Sequence, residues 1–135
     1  MALLVDTGVL YALADRHDAW HARVRDYLEA HAHTLLAPVT ILPEVAYLLR
    51  DRIGPHAELA FVRSIAKGEL AVEPLQRGDL SRAETLMESY GELGFVDTTV
   101  IAIAERLKAE LIATTDRRHF GSVRPSHRDR FLLVP

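Results

Sequence analysis

Leu3-Leu4-Val5-Asp6 and Leu111-Ile112-Ala113-Thr114-Thr115-Asp116 decide how this chain folds. Each is a short apolar run that stops on an aspartate. A run with no polar face reads as a strand buried on both sides, the habit of strands in a parallel sheet. Between them lie segments of a different period. Trp20, Val24, Tyr27 and Leu28 fall at i, i+4, i+7 and i+8, one face of a helix that Asp18 can cap. Thr40 can cap the helix that contains Glu44. Gly54-Pro55 breaks the chain before a helix from Ala57 to Ala66. Asp79 can cap a helix with Leu80, Ala83, Leu86, Met87 and Tyr90 on one side, and Asp97 can cap the next, to about Lys108.

The remaining strands are Thr34 to Ala37, stopped by Pro38, then Leu70 to Val72, and Phe131 to Val134. Strands alternating with amphipathic helices predict a three-layer α/β/α sandwich on a central parallel sheet of four to five strands. The expected organisation is one domain over 1–135, a length suited to a single core.

In that architecture the carboxyl ends of the strands share one edge, where ligands bind. Asp6 and Asp116 close strands, and Glu44 and Asp97 stand at or near helix starts that face the same edge. Each acid sits against an apolar stretch, Glu44 within Ile41 to Leu49 and Asp97 before Val100 to Ala104. Carboxylates are seldom buried unless paired or bound to metal. Ordinary structural roles are open to each of them: a helix cap, an Asx-turn, a favourable place on a helix dipole. Taken jointly, one shared site is the simpler account. Four clustered carboxylates either keep protons or hold a hard divalent cation, Mg²⁺ or Mn²⁺, which takes oxygen ligands and leaves room for a phosphate.

Composition narrows the classes further. Cysteine is absent, which excludes disulfides and thiolate metal centres and fits a reducing, cytoplasmic setting. No apolar run reaches the roughly 20 residues of a membrane span, and the start of the chain lacks the basic region of a signal peptide. The net charge is −3, but Arg117, Arg118, Arg124, Arg128 and Arg130 gather near the end against Asp129 alone. On charge alone this reads as a solvated terminal segment, and it is also compatible with a basic rim beside an acidic centre. No GxxxxGK[ST], GxGxxG or GxSxG motif is present. His17 and His21 stand at i, i+4, but beside Trp20 they read as helix surface. His119 and His127 read as loop or rim residues. A phosphoacceptor domain would need a lysine after a late strand, and neither Lys67 nor Lys108 is there.

The ordered set Leu4-Val5-Asp6-Thr7, Pro43-Glu44-Val45, Gly94-Phe95-Val96-Asp97 and Thr114-Thr115-Asp116-Arg117-Arg118-His119-Phe120 resembles the PIN-domain nucleases, most closely the VapC toxins of bacterial toxin–antitoxin pairs. The likeness covers nearly the whole chain. Position 8 departs from it: the family often has a hydroxyl or amide residue there, and here it is Gly8.

The resemblance implies a Mg²⁺-dependent endoribonuclease, with Mn²⁺ as a possible substitute. Asp6 and Asp97 would be the principal metal ligands and Glu44 and Asp116 would complete the pocket. Thr115, Arg117 and Arg118 would contact substrate, and an activated water would attack phosphorus in line. It also implies a homodimer, a VapB-type antitoxin that occludes the pocket, and structured RNA such as tRNA or rRNA as target. The alternative is a PIN-like module that binds RNA or protein without cutting.

Overall fold

The computed structural model describes residues 2–135. Five parallel strands form one sheet: β1 (Ala2–Val5), β2 (Thr34–Pro38), β3 (Ala71–Glu73), β4 (Leu111–Ala113) and β5 (Leu132–Val134), in the order β3-β2-β1-β4-β5. β1 lies at the centre, and Leu3, Leu4 and Val5 are buried, as an apolar run without a polar face requires.

The chain travels outward from β1 to β2 and β3, then returns to β4 on the other side of β1. Right-handed crossovers therefore place α1 (Thr7–Ala14), α2 (His21–Ala30), α3 (Leu42–Arg52) and α4 (Pro55–Ala66) on one face. They place α5 (Arg77–Ser89), α6 (Phe95–Arg106) and α7 (Arg117–Gly121) on the other. The result is the expected three-layer α/β/α sandwich. The reversal between β1 and β4 opens a crevice at their carboxyl ends, where open α/β sheets take ligands.

α6 is buried all round from Thr98 to Glu105, so it serves as the central helix of its layer. Three ion pairs, made by two of its residues, fix it. Glu105 accepts from Arg82 Nε at 2.7 Å and from the Ser126 backbone N–H at 2.6 Å, which docks the loop after α7. Arg106 forks onto Asp79 and reaches Glu73 at 3.0 Å.

Several capping expectations are corrected. Asp18 does not cap α2 directly. Its carboxylate accepts from Trp20 N at 2.8 Å in a turn that precedes the helix, because a chain entering through Trp20 with αR geometry leaves no extended cap residue. Thr40 lies in a 3₁₀ turn (Val39–Ile41), and its hydroxyl is 2.8 Å from that of Thr99 rather than on a helix end.

Asp79 is the third residue of α5, not its cap. Gln76 caps, and Asp79 returns a bond to Gln76 N at 2.9 Å, a reciprocal box that buries the carboxylate. Pro38 ends β2 from within, paired with Glu73. α4 starts at Pro55, an N1 proline whose missing N–H costs nothing there.

Candidate active site

Asp6 leaves β1 and caps α1. Its Oδ1 accepts from Thr7 N at 2.7 Å, and its backbone N–H extends the β1–β4 ladder to Ala113 O at 2.9 Å. Its other oxygen, Oδ2, accepts from the Thr114 hydroxyl at 3.1 Å. Thr114 is fully buried, and its Oγ1 also accepts from Asp116 N at 2.9 Å. One hydroxyl therefore ties the ends of the two central strands together and orients both aspartates.

Asp116 caps α7, accepting from His119 N at 3.2 Å. Asp97 is the third residue of α6, behind Gly94, so it is not the cap expected from its sequence position. It enters the pocket from the opposite layer. Glu44, the third residue of α3, comes in from the first layer and is exposed, contrary to the burial its apolar neighbours imply. Ile41, Val45 and Leu49 turn inward at helical spacing and leave Glu44 on the rim.

A pocket of about 480 Å³ collects all four acids together with Thr7, Gly8, Leu48, Gly94, Val96, Thr115 and His119. The acids come from four separate elements and meet only at the sheet's switch point. Burial drives the Asp6 carboxyl up from the ordinary 3.8 to about 6; Asp97 and Glu44 push the same way, against the Thr7 N–H and Thr114 bonds. Asp97 is also raised, by burial first and then by Asp116 and Glu44, while His119 pulls it down.

His119 Nδ1 stands 2.7 Å from Asp116 Oδ2 and 3.2 Å from Asp97 Oδ2, though neither contact lies in line with a ring N–H. Asp97, Asp116 and His119 each turn a donor atom into a space where all three lie within 4.8 Å of one another. This is a donor set of carboxylate oxygens and one imidazole nitrogen, paired with carboxylates that resist ionising. The clustered carboxylate oxygens suit a hard divalent cation, and the imidazole nitrogen widens the set toward softer divalent ions.

The other expected residues fall around the rim. Thr115 lines the pocket. Arg117 and Arg118 open α7 outside the lining, and the Arg117 guanidinium reaches the Pro135 carbonyl. Two residues were missed. Thr114 reads from sequence as one more strand residue, and its neighbour Asp6 becomes visible only through the β1–β4 pairing. His119 reads as a loop residue because α7 is too short to show a period. Away from the pocket, His21 and His127 are held by the carbonyls of Ala12 and Ala109, each at 2.7 Å.

The PIN domain family model matches residues 3–124. The chain belongs to the PIN-domain family. Within it, this PIN domain is 30% identical over 135 residues to Ribonuclease VapC26 of Mycobacterium tuberculosis (strain ATCC 25618 / H37Rv), covering 98% of this chain and all of the relative. It is a VapC-type member.

Among solved structures it is similar to Mycobacterium tuberculosis VapC20, a Sarcin-Ricin loop cleaving toxin. The TM-score is 0.77 at 20% identity, over 86% of this chain and 91% of that one. It is also similar to the DNA-bound VapBC structure from Salmonella typhimurium, with a TM-score of 0.72 at 14% identity, over 98% of both chains. Those two likenesses carry the PIN fold. Among the described residues no helix is long and apolar enough to cross a membrane.

Proposed function

We propose that this PIN domain is a Mg²⁺-dependent endoribonuclease, the toxin of a toxin–antitoxin pair acting on structured RNA such as tRNA or rRNA in the cytoplasm. The observation that carries this reading is the convergence of Asp6, Glu44, Asp97 and Asp116 on one pocket at the switch point of the sheet.

Asp6 and Asp97 would hold the ion, with Asp116 and Glu44 completing the acidic wall. His119 adds a nitrogen donor at the Asp97–Asp116 side, which favours Mn²⁺ as a working substitute. When bound, a divalent ion lowers the pKa of water and offsets charge on the phosphate. The protein's own share is positional. The Thr114 hydroxyl holds the Asp6 carboxylate and the Asp116 backbone in register, α6 presents Asp97 from the far layer, and Arg117 and Arg118 offer positive charge at the rim for neighbouring phosphates.

Protein partners follow the same reading. Leu80, Met87 and Phe95 are exposed together beside α5 and α6, and a second apolar hollow lies between α1, α3 and α4, near exposed Leu59 and Val62. Two separate apolar surfaces support both a homodimer and a VapB-type antitoxin.

The direct test incubates purified protein with structured RNA in Mg²⁺, in Mn²⁺ and in chelator. Cleavage in either ion, lost in chelator, is expected. Intact RNA under all three conditions, with RNA still bound, would instead identify a module that binds without cutting.

Metal binding carries its own expected pH dependence. Because the Asp6 carboxyl is raised, the native protein holds a proton that the unfolded chain releases. Between 3.8 and about 6, the metal-free protein therefore loses stability as pH rises, and above that window the cost of the buried charge is fully in place. A divalent ion must displace that proton. Calorimetric titration with Mn²⁺ should show proton release near pH 6 and binding roughly fourfold or more weaker at about pH 5.5 than at about pH 7.5. Affinity that does not change with pH would mean that Asp6 is not among the groups facing the ion.

A further inference from the structure

We propose that Gly8 and Thr115 form a matched pair. The side chain missing at position 8 keeps open the space in which the Thr115 hydroxyl stands at the pocket wall, where it donates to a phosphate oxygen of the RNA. The substrate half of this pairing rests on the nuclease reading above.

The packing half starts from the backbone. Gly8 is the second residue of α1 and has no positive φ, so nothing in its conformation calls for glycine. Within a helix, glycine is a poorer former than alanine. The reason for glycine lies in space instead. A Cβ built on Gly8 would overlap Thr115 Oγ1 and would stand 3.3 Å from Thr115 Cβ and 3.6 Å from its Cγ2. The whole Thr115 side chain lies against the bare Cα.

Thr115 Oγ1 differs from its neighbour. Thr114 Oγ1 bonds both Asp6 and Asp116, whereas among the described residues no protein group hydrogen-bonds the Thr115 hydroxyl. It is half-buried, faces the acidic pocket, and its β-branched side chain has few rotamers to choose from. The charged groups beside it are carboxylates, which only accept when ionised. Phosphate oxygens need donors. A neutral O–H in this wall supplies one without adding a further charge. Thr115 is thus a substrate-positioning residue, and Gly8 is what lets it stand there.

The test is a double-mutant cycle on the full chain, read by melting temperature and by steady-state RNA cleavage. In the parent, Gly8→Ala should lower the melting temperature by several degrees. In a Thr115→Ala background the same change should cost clearly less, since the overlap with Oγ1 is gone and only the 3.3 Å approach to the Cβ of position 115 remains. An equal loss in both backgrounds overturns the packing half.

Thr115→Ala should raise KM for RNA roughly tenfold with a smaller effect on kcat, and Thr115→Ser, which keeps the hydroxyl, should recover most of that loss. Parental KM and kcat in Thr115→Ala, beside an inactive Asp97→Asn, overturn the substrate role and leave the nuclease reading standing. No cleavage by the parent overturns that reading, while the melting cycle still decides whether the two residues are matched.

Discussion

Asp97→Asn should abolish metal-dependent RNA cleavage, with a loss of at least about 100-fold, while the folded protein melts no lower than its parent in chelator. The activity half follows from placement. Asp97 is the acid delivered by α6, and its carboxylate shares the donor space with Asp116 and His119. Asparagine keeps the shape and one acceptor oxygen but removes the charge that a divalent ion requires.

The stability half is a matter of sign. Burial, then the Asp116 and Glu44 charges, raise the Asp97 carboxyl above its ordinary value in spite of His119. A carboxyl held above its unfolded value favours folding when protonated and opposes it once ionised. At neutral pH the parent therefore bears a charge that the fold disfavours, and asparagine removes it. The third position of a helix favours a negative charge by about 0.3–1 kcal/mol, which works against the gain. Against it stand burial and the charges of Asp116 and Glu44, which act together in the direction of the raised carboxyl.

Added Mg²⁺ or Mn²⁺ should raise the melting temperature of the parent by mass action and leave the variant nearly unmoved. Thermal scans with and without ion, beside a cleavage assay, read out both halves. Undiminished cleavage would remove Asp97 from the chemistry. A large fall in melting temperature in chelator would make it a structural residue of the α6 start.

How far the sequence reaches is set by range. The buried strands were legible because an apolar run with no polar face admits few other readings, and Leu3 to Val5 is such a run. The sandwich followed from alternation and handedness. The likelihood that four distant acids meet followed from the same rule, since strand ends and helix starts share an edge.

What escaped depends on contacts between elements. Thr114 matters through an oxygen of Asp6 108 residues away, and no local pattern encodes that bond. Glu44 looked buried because its neighbours in sequence are apolar, yet helical spacing sends Ile41, Val45 and Leu49 inward and Glu44 out. Asp79 looked like a cap because short acids before an apolar face usually are. Its partner Arg106 lies 27 residues on, and only the α5–α6 packing turns the side chain inward. α7, with five residues, is too short for any periodic signal.

Arg106→Ala should cost about 3 kcal/mol, as the loss of one partner of a buried ion pair does. Arg106 Nε lies 3.0 Å from Asp79 Oδ1 and 3.2 Å from Oδ2, and Nη2 adds a bond to Oδ2 at 3.1 Å. Its Nη1 reaches Glu73 at 3.0 Å, and Nη2 also reaches the Pro74 carbonyl at 3.1 Å. Asp79 is 2% exposed. Without the guanidinium, its carboxylate keeps only the Gln76 N–H at 2.9 Å, too little for a buried charge. Exposed pairs such as Arg25–Asp26 contribute about 0–1 kcal/mol, so the two cases separate clearly. For a chain of this length, the expected fall in melting temperature is roughly 10 °C.

Arg106→Lys should recover only part of the loss, since a point charge cannot make the forked contact. Asp79→Asn in the Arg106→Ala background should recover more, because a neutral amide can still accept from Gln76 N and leaves no stranded charge. Because α6 carries Asp97 near its other end, cleavage per folded molecule well below the transition should stay close to the parent's. A fall in activity at temperatures where the variant is fully folded would mean instead that the ion pair sets the angle at which α6 presents Asp97. A change in melting temperature no larger than that of Arg25→Ala would place Asp79 in solvent, not in the core.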